Sequence, residues 1–453
     1  MSAIAKYRAM LEQLIDEGQE LKILTLISSF HPDDIADLVD ALEEEKKSKL
    51  FRLLDVETAS DVIVGLDDIS RDLVLEDISR EKLSRIVDDM PSDEAADFIA
   101  DLPRDKAQTI LSSIDEEKSA GVRKLLAYPE DSAGGIMQTE LISVPKTATV
   151  QEAIEFIRSH LEGIEDLHNV FVTDEDRRLV GVLPLRKLLL AREDTVLSAI
   201  MDKPVVHVSD DEDQEQVANV FKKYDIVSLP VVDRNRRIIG RITVDDILDV
   251  IQEEDSEDIL RMAGISEEED VVYSGPALKV CMTRLPWLIF NLFGTLASGY
   301  FLWVYRSTLK DLLALVTFVP VICAMSGNVG VQSSSIVIRG LAIGKIDFMN
   351  LKKMFAKEAT VGLAIGLVCG CIGGLIGYVW HDNIMLGSVI FLAMFTTITF
   401  AAVAGILIPL FFKKLKIDPA VASGALITTA NDLIAINIYF VLATVLMRAF
   451  LHA

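Results

Sequence analysis

Five apolar runs, each long enough to cross a bilayer, crowd the C-terminal part of the chain and confine it to a bundle of membrane helices. They are roughly Leu285–Val304, Leu312–Ile338, Thr360–Trp380, Ile384–Phe412 and Pro419–Met447. A helix needs about 20 residues to span hydrocarbon. Lipid offers no partner to open backbone groups, so runs of this kind become helices. The connections are short, and an odd number of spans leaves the two ends of the membrane part on opposite sides.

Basic residues give the direction. Lys345, Lys352, Lys353 and Lys357 follow the second run, and Lys413, Lys414 and Lys416 follow the fourth. The loop after the first run carries Arg306 and Lys310, and His381–Asn383 after the third carries no Lys or Arg. This asymmetry predicts a cytosolic N-terminal half and an outside C-terminus in the plasma (inner) membrane. Trp287, Trp303, Tyr305, Tyr378 and Trp380 fall near run ends, where interfacial anchors belong.

Charge divides the chain at the same place. Residues 1–274 hold 31 Lys plus Arg against 63 Asp plus Glu, whereas residues 275–453 hold 13 against 6. So acidic a soluble half repels itself, which bound multivalent cations would relieve. It lacks the basic patches that nucleic acid requires, and nucleic acid is excluded as a partner. The first residues read as an amphipathic helix rather than the apolar core of a secretion signal. Cys281, Cys323, Cys369 and Cys371 read as packing residues, and two of them at i and i+2 on a helix point to different sides.

Asp432 is the only ionisable residue inside the fifth run. A carboxylate at that depth marks a water-filled path or a cation partner. Thr428 stands four residues before it, on the same helical face. The second run carries a polar stretch from Met325 to Ser335, in which Asn328 and Gln332 share a face, and Gly327 and Gly330 permit close helix approach or weaken the helix. Asp418, before Pro419, reads as the N-cap of the fifth spanning helix and as a carboxylate at the inner mouth of a path.

In residues 20–128, turn signals and short amphipathic helices recur with a rough 12-residue rhythm, as in a helical solenoid. Residues 133–254 hold a repeat of about 60 residues: Val170–Asp174 then Gly181–Leu189, and Leu229–Asp233 then Gly240–Leu248. Each copy reads as helix, strand, turn, strand, helix and resembles a CBS domain. In that family a Gly-hydrophobic-Ser/Thr-x-x-Asp pattern can hold adenosine nucleotides. Thr243 and Asp246 take those places in the second copy with Arg241 interrupting, and the first copy has Leu185 and Leu188 instead.

The whole order of parts resembles the MgtE family of magnesium channels or transporters. The motifs that carry this are Ser326–Gln332 with Arg339–Ala342, Asp418–Ser423 and Thr428–Asp432. Ser326 and Val331 depart from the Gly-Gly-Asn-x-Gly-Asn-Gln common in the family, as does Ala425 where Pro is common. The resemblance implies a multidomain chain with these approximate boundaries: an all-α solenoid (1–130), an α/β tandem CBS pair (131–254, as about 133–194 and 195–254), a connecting, plug-like helix (255–281), and an all-α membrane domain of five helices (282–453). It implies a homodimer in membrane lipid with Asp432 of both chains on the two-fold axis. Mg2+ would be both substrate and regulator, several ions per protomer, with ATP as a further regulator at Thr243 and Asp246. Pore positions are Asp432, Thr428, Asn328 and Asp418. Cytosolic sensor positions are Asp93, Asp97, Asp213, Glu215, Asp225, Asp246, Asp249, Glu254, Glu257 and Asp258.

The expected function is admission of Mg2+ to the cytosol down its gradient, shut by Mg2+ on the acidic domains. Alternatives are a CBS-gated carrier of Co2+ or Mn2+ and a non-transporting Mg2+ sensor. An enzyme is not expected: His31, His160, His168, His207, His381 and His452 form no His-Glu-x-x-His motif, which an intramembrane metalloprotease would need.

Overall fold

The computed structural model describes residues 3–160, 167–265, 272, 275–306, 314–342, 351–421 and 424–451. The chain divides into two compact units, Met1–Val250 and Ile251–Ala453.

The first unit opens with ten helices: α1 (Ala3–Asp16), α2 (Glu20–Ile27), α3 (Pro32–Asp40), α4 (Glu44–Leu53), α5 (Val56–Val64), α6 (Asp68–Asp77), α7 (Arg80–Asp89), α8 (Ser92–Ala100), α9 (Arg104–Leu111) and α10 (Glu116–Leu125). From α3 onward their first residues are spaced by 12, which is the rhythm of the sequence made regular. The period has a local cause. Asp55, Asp67, Ser79 and Asp115 each accept a backbone N–H inside the following helix, the N-cap contact that starts a helix. Helices pack on the second one along in several places, as α3 on α5, α5 on α7, α4 on α6 and α8 on α10. Leu50, Phe51, Val62, Ile63, Ile86 and Val87 are wholly buried between them. Lys82 seals the end of α4, donating to the carbonyls of Phe51 (3.4 Å), Arg52 (3.0 Å) and Leu54 (2.7 Å).

Two three-stranded sheets follow, in the orders β1-β2-β3 and β4-β5-β6. The first comprises β1 (Ser143–Pro145), β2 (Asn169–Thr173) and β3 (Leu179–Pro184), with α11 (Val150–Ser159) and α12 (Leu185–Leu190). The second comprises β4 (Val208–Ser209), β5 (Ser228–Val232) and β6 (Ile238–Thr243), with α13 (Gln214–Tyr224) and α14 (Val244–Met262). In both, the first pairing is parallel and the second antiparallel. Both sheets break register at the matching step, Val172/Thr173 and Val231/Val232. The sequence repeat is therefore a repeat of structure down to its irregularity.

In the second unit, α14 ends at Met262, and Gly264 adopts φ +80°, a conformation natural only to glycine. The residue 254/255 boundary expected from sequence falls inside this helix. The expected connecting helix, 255–281, is not continuous among the described residues: its first part ends with α14 at Met262, its last part belongs to a helix that starts at Ala277, and 266–271, 273 and 274 lie outside the described residues. The membrane helices are α15 (Ala277–Val304), α16 (Ala314–Ala342), α17 (Leu351–His381), α18 (Ile384–Lys414) and α19 (Gly424–Leu451), each long and apolar enough to span. The core holds Phe318 and Ile322 of α16, Ile390 and Met394 of α18, and Tyr439 and Phe440 of α19. Tyr439 donates its hydroxyl to the Leu315 carbonyl at 2.9 Å. Along α17, glycines let α18 approach to backbone contact, and a Cβ at Gly374 would stand 2.8 Å from the Gly387 carbonyl oxygen. The polar stretch of α16 does not break its helix, and its glycines serve close approach, as small residues do between membrane helices.

Candidate ion path and acidic clusters

One turn of α19 distributes four polar side chains among different neighbours. Thr429 donates to Oδ1 of Asn291 on α15 at 2.7 Å. Asn431 is 2% exposed and packs on Gly330 of α16, where a Cβ would stand 2.0 Å from its Nδ2. Thr428 and Asp432 share the remaining face. A Cβ at Gly327 of α16 would lie 3.3 Å from Thr428 Cγ2 and 4.0 Å from Asp432 Oδ1. Cys323, one turn earlier on α16, lies beside the Asp432 carboxylate. Asp432 is half-buried, and no described residue gives it a hydrogen bond or an ion pair. An intramembrane acid without a protein partner has an open place for water or a cation.

Asn328 is brought to a different place. It lies on the exposed face of α16, as does Gln332, one residue round the helix from Gly327. It makes no described hydrogen bond to Asp432.

Asp418 corrects the expectation of an N-cap on the fifth spanning helix. Its Oδ1 accepts from Ala420 N at 2.8 Å and starts a short 3-10 turn, Pro419–Val421, whereas α19 begins at Gly424. An Asp-Pro pair opens a turn equally well whether or not a helix continues. The second oxygen of Asp418 pairs with Arg261 near the end of α14.

That pairing belongs to an acidic cluster. Glu254, Asp255, Glu257 and Asp258 follow one another on α14. Arg261 bridges Glu257 and Asp418, and Arg339 of α16 bonds Asp255 at 2.6 Å. Burial, then the neighbouring Asp418 and Glu254 charges, push Asp258 up to about 6. Burial likewise raises Glu257, despite Arg261.

A second cluster lies in the first unit. Asp93 of α8 is 5% exposed, and its Oδ1 has no hydrogen-bond partner. Burial, then the Asp246 charge, hold its carboxyl well above the usual range. Asp246 is raised too, chiefly by burial. It accepts from Thr243 N (3.2 Å), from the Thr243 hydroxyl and from Gln138 Nε2 (3.3 Å), so Thr243 and Asp246 do come together. Burial, then Asp245 and Asp33, raise Asp249. Asp97 stands one turn along α8 from Asp93.

Asp213 and Asp225 sit at the two ends of α13. Asp213 caps its start through Glu215 N (2.9 Å), and Asp225 ends it at φ +50°. Among the described residues no three His, Cys, Asp or Glu side chains converge closely enough to grip a metal. The donors are nevertheless all oxygen, buried or crowded, with one orphaned. A hard divalent cation fits such a set.

Sequence reasoning missed Glu358. It is 5% exposed on α17 and accepts from Ser333 Oγ of α16 at 3.1 Å. The triplet Ser333–Ser335 in the second run was the available signal.

A helical unit with paired CBS folds, carried on one chain with five helices long enough to span, one of which holds an acid at mid-span, defines a polytopic membrane protein of the transporter type. Family models match along the chain: the MgtE intracellular N domain at 30–131, CBS domains at 133–194 and 197–253, and the divalent cation transporter domain of MgtE at 319–442. The chain is 33% identical over 440 residues to the magnesium transporter MgtE of Bacillus subtilis, covering 97% of this chain and 96% of that one. It is 32% identical to MgtE of Thermus thermophilus, covering 98% and 99%. The crystal structure of the cytosolic domain of the Mg2+ channel MgtE in complex with ATP is similar at 33% identity and TM-score 0.51, covering 54% of this chain and 99% of that one. The chain belongs to the MgtE family.

Proposed function

We propose that the protein admits Mg2+ to the cytosol down its electrochemical gradient and is shut by Mg2+ bound to its acidic domains. Its partner is a second copy. Asp432 of both copies, at the two-fold axis, faces a largely hydrated Mg2+, an ion that gives up water reluctantly. Two carboxylates sharing one place resist joint ionisation unless a cation stands between them. Thr428 lines the same face, Asp418 stands at the inner mouth, and Asn328, exposed on α16, would line the path from the face that the second copy covers. The N-terminal half is cytosolic and the C-terminus lies outside.

The observation that carries this reading is the half-buried Asp432, inside a span and without a hydrogen-bond or ion-pair partner among the described residues. No ATP hydrolysis is needed, since a divalent ion gains about 4.6 kcal/mol per 100 mV. Regulatory Mg2+ supplies charge that neutralises facing acids. Asp93, Asp97, Asp213, Glu215, Asp225, Asp246 and Asp249 would hold it in the first unit, and Glu254, Glu257 and Asp258 in the second. Moving a gate from 1:99 to 99:1 takes about 5.5 kcal/mol of differential binding, so several ions act together. ATP at Thr243 and Asp246 is a further regulator. Support for it comes from the ATP complex of the relative.

The test is Mg2+ uptake into proteoliposomes. Asp432→Ala is expected to abolish it, and undiminished uptake by that variant overturns the pore assignment. Preferential uptake of Co2+ or Mn2+ in competition marks the carrier alternative, and no uptake by the wild type marks a sensor.

A further inference from the structure

We propose that Arg261 is a tethered counter-ion that competes with the regulatory cation for Asp418 and Glu257, and so sets the Mg2+ level at which the pore shuts. This rests on the reading above that cation binding to the acidic cluster closes the pore.

Arg261 is the one cation on α14 among its described residues. It reaches Glu257 one turn back and Asp418 of the membrane domain. Both oxygens of Asp418 are engaged: one takes Ala420 N and the other takes the guanidinium. Each carboxylate oxygen keeps a further lone pair, but a hard metal that uses it stands beside the permanent charge of Arg261. The backbone contact carries no net charge, so the guanidinium is the group that yields.

Three properties make Arg261 a competitor rather than a strut. Its charge is permanent, since a guanidinium does not deprotonate in proteins. Its attachment to α14 keeps its effective concentration at the cluster high and constant. Its contacts are weak enough to exchange, because both partners in the Asp418 pair are about one-third exposed and such pairs contribute little. Around it stand Glu254, Asp255 and Asp258, and Arg339 of α16 pairs with Asp255. One guanidinium leaves the cluster with excess negative charge, which a divalent ion neutralises more fully.

The sign of one substitution separates the two roles. If Arg261 competes, Arg261→Gln lowers the Mg2+ concentration of half-closure by about two- to fivefold, the range of a partly exposed pair. If Arg261 is a strut tying α14 to the membrane domain, the same change raises that concentration. The full-length protein in proteoliposomes supplies the flux midpoint. The midpoint for Mg2+ protection of the α14 region from protease, in detergent, supplies a readout independent of transport. Arg261→Lys, which keeps the charge without the fork, is expected between wild type and Gln. In an Asp418→Asn background the Arg261→Gln shift is expected to shrink, because one of the two contested ligands is gone and Glu257 remains. A raised or unchanged midpoint in Arg261→Gln overturns the proposal and leaves closure by Mg2+ standing. Absence of Mg2+ protection and closure in the wild type overturns both.

Discussion

Asp93 and Asp246 turn their carboxyl groups toward one another in a buried place, with Gln138 between them and Oδ1 of Asp93 without a partner. Burial and the facing charge raise Asp93 above the ordinary carboxyl value of about 3.9. An acid raised in the folded state is disfavoured there in its charged form. Its favourable contribution is complete below the ordinary value and is lost as pH climbs through the raised one. In chelator, the melting temperature of the full chain is therefore expected to fall as pH rises from about 4.5 to 7. Asp93→Asn should flatten that fall, and Mg2+ should restore much of the loss in wild type. A melting temperature that climbs over this range in chelator, or Asp93→Asn behaving as wild type, would contradict the electrostatic account.

The sensor acids and the path acid are expected to separate cleanly. Neutralising Asp225, Asp246 and Asp249 together should leave uptake at low Mg2+ within about twofold of wild type while shifting shutdown to higher Mg2+. No single ion supplies the whole bias of the gate, so single substitutions should shift it less than the triple. Uptake traces across a Mg2+ series measure both quantities in one experiment. A triple variant that loses uptake itself would place these acids in the folding of the unit rather than in sensing.

Close approach of backbones makes a contrast between two glycines. A Cβ at Gly405 would stand 2.5 Å from the Gly330 carbonyl oxygen and 2.9 Å from Ser333 Cβ, whereas one at Gly299 would meet nothing within 4 Å. Backbone cannot swing aside as a side chain can, so Gly405→Ala must part α18 from α16. Overpacking of this kind costs about 1–3 kcal/mol. Gly299→Ala should be neutral or slightly stabilising, since alanine is the better helix former. Thermal unfolding in detergent should rank the variants accordingly.

What the sequence disclosed was what has a period. The 12-residue spacing of the solenoid helices, the duplicated sheet and the five spans all repeat or persist over many residues. Asp432, Thr243 and Asp246 were legible because each is either alone in its surroundings or part of a motif. Direction around a helix axis was not legible. Asn328 and Asn431 look alike in sequence, yet one is exposed on α16 and the other is 2% exposed against Gly330. Long-range partners were hidden as well: Glu257 and Arg261 are visibly four apart, but nothing local points Arg261 at Asp418. Helix ends were the third loss. The stretch from Leu351 to Glu358, before the third apolar run, joins α17, so Glu358 belongs to the bundle.

That acid permits a last separation of roles. Glu358 is 5% exposed, and its one described hydrogen bond comes from Ser333 at 3.1 Å. Glu358→Gln keeps an acceptor oxygen for Ser333 and almost the same volume, without a charge to bury. It should match or exceed wild type in melting temperature and retain uptake. Glu358→Ala strands the Ser333 hydroxyl and opens a cavity, costing about 2–4 kcal/mol from the two effects together. If Gln melts like wild type but loses Mg2+ uptake, the charge itself serves the ion, and Glu358 joins Asp432 as a functional acid. Retained uptake in Gln together with a destabilised Ala variant identifies it as the polar joint between α16 and α17.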